Sequence, residues 1–164
     1  MRQKNKQIII VIIILLVAGL GYFIPQKINK EYSAIQYRIG NESYEDKIDI
    51  HINGYITRGL LQGDRFEGSI KIGEKELPRL DMRLSDNYGA LLLYYNEASG
   101  DYSSYGHMYM DNSREKISIS IFEPDEQEKG KKSWSSKDGL TISAPANSIN
   151  EAIKITNELV KYIE

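Results

Sequence analysis

Residues 116–122 read KISISIF, with isoleucine at every second position and serine between. Side chains alternate across a strand with a period of two, so Ile117, Ile119 and Ile121 share one face and Ser118 and Ser120 the other. A helix would scatter these isoleucines around its circumference, so the stretch predicts a strand with one dry face and one wet face. The same period runs outward from it. In KIDIHINGYITR (47–58), Ile48, Ile50, Ile52 and Ile56 oppose Asp49, His51, Asn53 and Tyr55, and Gly54 marks a bulge or bend. FEGSIKI (66–72) places Phe66, Gly68, Ile70 and Ile72 together, and LPRLDMRL (77–84) sets Leu80, Met82 and Leu84 against Asp81 and Arg83.

Three further segments complete the set. ALLLYYN (90–96) is apolar on both faces, which predicts a central, covered strand. HMYMD (107–111) follows a polar tip, and LTISAPA (140–146) ends at Pro145. Turn chemistry separates the runs at GEKE (73–76), DNYG (86–89) and DNSRE (111–115).

The period changes to helical in NSINEAIKITNELVKYIE (147–164). Ser148 with Glu151 forms a capping box, and Ile149, Ala152, Ile153, Leu159, Val160 and Ile163 make an apolar stripe. The fold class expected is α+β: an antiparallel β-meander of about seven strands, with the C-terminal helix packed on its apolar face.

The N-terminus has a different composition. Residues 8–24, IIIVIIILLVAGLGYFI, carry no charge and would span about 26 Å as a helix, close to a bilayer core. Arg2, Lys4 and Lys6 precede this run, which predicts a signal-anchor with the N-terminus cytoplasmic and the rest outside. Its lipid-facing length makes the bilayer the first expected partner. The alternative is a cleaved signal peptide and a secreted domain, for which Gly19 and Gly21 are the available small pair. Ile28, Tyr32, Ile35 and Ile39 recur at helical spacing up to Gly40 and predict a stalk helix. The expected organisation is a tail (1–7), a transmembrane helix (8–24), a stalk or linker (25–43) and an extracytoplasmic domain (44–164). The combination resembles many small bacterial envelope proteins in kind, without a motif that ties it to one family.

Charge is asymmetric along the 164 residues. Residues 31–164 hold 23 acidic and 16 basic side chains, a net −7, while the first thirty carry +5. An acidic domain is a poor ligand for nucleic acid, whose binding relies on neutralising phosphates. The chain has no cysteine, which removes disulfides, thiolate metal sites and thiol nucleophiles.

Catalytic patterns are equally sparse. His51 and His107 stand far apart on predicted strands, without metal-ligand spacing. No G-x-S-x-G or phosphate-cradling glycine loop occurs. The residue three before Lys137 is Trp134, so SWSSK (133–137) does not supply S-x-x-K, and the scattered carboxylates form no diagnostic pair. No metal, cofactor or enzymatic activity is expected.

Half of the twelve tyrosines lie between Tyr88 and Tyr109. Within YYNEASGDYSSYGHMYMD (94–111), Tyr102 and Tyr105 are expected in a long hairpin tip, with His107 and Tyr109 sharing a face of the returning strand. Trp134, in the hydrophilic segment EPDEQEKGKKSWSSKDG (123–139), either folds back over the sheet as a plug or stands exposed for binding. The functional expectation is an envelope module docking a protein partner through a sheet edge or the wet sheet face. The alternative is cell-wall glycan or small-ligand binding through Tyr102, Tyr105, Tyr109, His107 and Trp134, where rings stack on sugars. A hydrolase with scattered catalytic residues is the third reading.

Overall fold

The computed structural model describes residues 13, 19, 21–59, 63–84, 89–125 and 130–160. Eight long strands form one antiparallel sheet. They are β1 (Gln26–Arg38), β2 (Asn41–Thr57), β3 (Asp64–Ile72), β4 (Lys75–Leu84), β5 (Ala90–Asn96), β6 (Asp101–Met110), β7 (Ile117–Ile121) and β10 (Leu140–Ala144). Between the last two, β8 (Glu123–Pro124) pairs β9 (Lys132–Ser133) as a small separate hairpin. The C-terminal helix α1 covers Ile149–Leu159.

The sheet order is β4-β3-β2-β1-β10-β7-β6-β5, which is a meander that has wrapped round on itself. Its two edges, β4 and β5, come back into contact without being hydrogen-bonded neighbours, so the sheet is nearly a closed barrel. Closure explains the period-two pattern, because a small barrel fills its interior with alternate side chains from every strand. Ile50, Ile52, Phe66, Ile70, Leu77, Leu92, Met108, Ile117, Ile119 and Ile142 are all buried in that single core.

Gly54 and Gly68 face each other across β2 and β3 in unbroken β2–β3 register. A methyl on Gly68 would sit 2.2 Å from the Asn53 carbonyl oxygen and 2.6 Å from Gly54 Cα, so this close approach requires glycine. The bulge lies one step on, where the β3–β4 register shifts between Gly68 and Ile70.

The stalk helix is not formed. Residues 26–38 are strand, hydrogen-bonded to β2 on one side and β10 on the other, so the barrel begins near residue 26 rather than 44. Ile28 and Tyr32 are four apart, which is one helical turn but also two strand repeats, so their spacing fits both periods. Ile35 breaks the parity, yet it is buried because a second layer covers the other face.

That second layer is α1, and it too lies elsewhere than expected. The apolar face of the sheet is the barrel interior; the helix covers the outer face of β1, β10 and β7. Ala152, Ile155 and Thr156 are its buried residues, against Ile35, Tyr37 and Ala146. The alternating serines are therefore dry rather than wet: Ser118 and Ser143 lie under the helix at 0% exposure. Their hydroxyls are satisfied by one another. Thr156 Oγ1 accepts from Tyr37 Oη at 2.7 Å and lies 2.6 Å from Ser143 Oγ and 3.0 Å from Ser118 Oγ. At the helix start Ser148 Oγ accepts from the Glu151 N–H, while Glu151 reaches back to Asn147 N rather than to Ser148. Leu159 is half-buried in this layer, and Ile163 lies outside the described residues.

No helix among the described residues is long and apolar enough to cross a membrane. The predicted span 8–24 lies outside the described residues except for 13, 19 and 21–24.

Candidate functional site

The β5–β6 hairpin carries four of the five candidate residues. Its tip is the short turn Glu97–Gly100, so Tyr102 and Tyr105 belong to strand β6 and not to a long polar loop. Pairing runs from Asn96↔Asp101 without a gap, then shifts between Leu92 and Leu93, leaving Tyr105 as the extra residue of a bulge. The bulge turns Tyr105 onto the core, where burial, reinforced by Tyr94, pushes its phenol up to about 12. Tyr105 is therefore partly buried against the core. Tyr102 is 61% exposed, with its ring edge-on to Tyr95 at 5.6 Å.

Beyond the bulge the alternation sends Met108 inward and His107 and Tyr109 outward. His107 is half-buried, its ring perpendicular to Phe122 at 5.0 Å, and burial pushes its pKa below 6.5. Tyr109 lies across Gly89, whose φ of +60° and missing Cβ make room for the ring. Ser120 pairs with His107 on one side and Thr141 on the other. Its Oγ is the buried side-chain polar atom left without a partner among the described residues.

Trp134 takes the plug position. Its Nε1 donates to Thr141 Oγ1 at 3.2 Å and its ring lies against Gly139, so the segment after β9 folds back onto β10. Arg38 fastens the same segment: it makes a two-pronged pair with Glu123 at 2.7 and 3.0 Å and donates to the Asp138 carbonyl. That pairing holds the Glu123 carboxyl below its usual range. His51 sits elsewhere, exposed on β2, with Nε2 3.3 Å from Asn29 Oδ1.

The structure thus places Tyr102, His107 and Tyr109 along one outer strip and Trp134 two strands away, with Tyr105 half-buried against the core. The strip contains residues that the sequence reading assigned to a covered strand. β5 is an edge strand, and its outer face is open: Leu91 is 42% and Leu93 41% exposed. Tyr95 continues this line, with the Arg79 guanidinium 5.9 Å from its ring centroid. The signal was present in ALLLYYN, since a strand apolar on both faces needs two covers, and the barrel interior supplies one. Among the described residues no group of three or more His, Asp or Glu side chains is placed to hold a metal ion. Comparison with protein-family models, with curated proteins and with solved structures found no match.

Proposed function

We propose that this chain is a membrane-anchored extracytoplasmic module that works without catalysis, by docking a protein partner through the outer face of β5 and β6. The observation that carries the reading is the open strip of Leu91, Leu93, Tyr95 and Tyr102 on the outer face of β5 and β6, which the helix does not cover. Contiguous exposed apolar side chains on a small soluble domain mark interaction surfaces, and aromatic residues among them supply rigid contact area. The apolar run at 8–24, with basic residues before it, supports the anchor and sets the barrel outside the cell.

The test is site-specific photo-crosslinking from position 93 in cells producing the full chain, repeated in Leu91→Asp. A docking face loses its crosslinked partner, with affinity at least about tenfold weaker, while the melting temperature of the barrel stays unchanged. Retention on purified cell-wall glycan, abolished by Tyr102→Ala and unaffected by Leu91→Asp, would instead establish the glycan reading.

A further inference from the structure

One end of the barrel gathers the start of β1 with the β2–β3 and β6–β7 turns, and it differs in charge from the rest of the acidic domain. Among the described residues, Asp64, Asp81, Asp111 and Glu115 at this end are engaged locally. Asp64 pairs with Arg114 at 2.8 Å, Asp81 with Arg65 at 2.6 Å and Glu115 with Lys30 at 2.6 Å. Asp111 accepts from the backbone N–H groups of Glu115 and Lys116, both at 2.8 Å. Lys27, Arg58 and Arg83 are exposed at this end and form no ion pair among the described residues. The chain reaches this end directly from the apolar run, because Pro25 alone separates Ile24 from β1. Tyr22, Phe23 and Ile24 are exposed there, and the Arg58 guanidinium lies 5.3 Å from the Tyr22 ring centroid.

We infer that this end of the barrel docks on an anionic lipid surface, with Lys27, Arg58 and Arg83 on headgroup phosphates and Tyr22 and Phe23 at the interface. Rings at the water–lipid boundary and unmatched cations just outside it are the chemistry that holds a protein against a bilayer. Arg58 joins the two by bridging the β2–β3 turn to Tyr22. With no stalk between span and barrel, the domain stands upright on the membrane, and the strip on β5 and β6 faces sideways along it. The inference rests on the anchor part of the proposed function.

The chain has no native cysteine, so single labels report cleanly. Full-length protein carrying a fluorophore at Asn112→Cys, in the near-end β6–β7 turn, or at Glu74→Cys, in the opposite β3–β4 turn, is reconstituted in phosphatidylcholine vesicles with and without phosphatidylglycerol. A quencher sits on the lipid headgroups. Docking predicts quenching at position 112 that rises with phosphatidylglycerol and little at 74. Replacing Lys27, Arg58 and Arg83 with Gln weakens docking about fivefold for each charge removed, returning the signal to its value in neutral lipid. Equal quenching at the two ends, or indifference to anionic lipid, in protein that still floats with vesicles after alkaline carbonate overturns the docking alone. Release of the wild-type chain by carbonate overturns the anchor reading and the docking with it.

Discussion

His107 stands where the dry interior meets the wet outer face, its ring against Phe122 and its pKa lowered by burial. The folded state holds the neutral imidazole, whereas the unfolded chain takes up its proton near 6.5. Protons therefore bind the unfolded chain first, so the stability due to His107 is complete above pH 6.5 and is lost as pH falls through the lower folded value. Urea midpoints measured between about pH 7 and 5 are expected to decline with acidification, and His107→Gln is expected to flatten that decline. An unchanged slope in the variant would assign the effect to other groups. Burial also shifts the pKa of Tyr105, here upward, because its charged form is the phenolate. Its position near polar Ser103, Ser104 and Asp101 suggested a loop, but a single bulge residue changes which face a side chain meets. No local composition announces a bulge of that kind.

At the scale of one element, α1 illustrates how a helix and a sheet face select each other. A wholly apolar outer face on β7 and β10 would expose a slab of isoleucine whenever the helix lifted away. Serines at 118 and 143 instead meet Thr156 and Tyr37 through hydroxyls that all find partners. Such a network specifies one seating of the helix, because sliding it by a turn would leave buried oxygens unpaired. Thr156→Val removes the shared oxygen while keeping the shape. The expected loss is about 1–3 kcal/mol in urea unfolding, with a smaller loss for Thr156→Ser, which keeps the hydroxyl. A neutral Thr156→Val would mean that the network carries no stability.

Across the whole molecule, the interior side chains of eight strands form one cluster, and this predicts one cooperative unit. Ile119→Ala on β7 and Ile52→Ala on β2 each empty space in that cluster, and each is expected to lower stability by about 2–5 kcal/mol. Calorimetry should show a single transition moved down in both variants. A split transition in either one would mean that the two halves of the barrel melt separately.

The sequence alone determined the things that depend on near neighbours. The positions of β2, β3, β4, β5 and β7, the alternation of Ile117, Ile119 and Ile121, the GEKE and DNSRE turns and the Ser148 start of α1 follow from side-chain period and local hydrogen bonding, which a linear reading contains. Those same rules pointed to a helix at residues 25–43, because Ile28 and Tyr32 satisfy both periods, and pairing with β2 and β10 makes 26–38 strand instead. Closure of the sheet is a long-range property. It made the apolar face an interior, sent α1 to the outer face, dried Ser118 and Ser143, and left Leu91 and Leu93 open on an edge. Whether a face is wet depends on what arrives from distant parts of the chain, and hydrophobic burial carries no record of sequence distance.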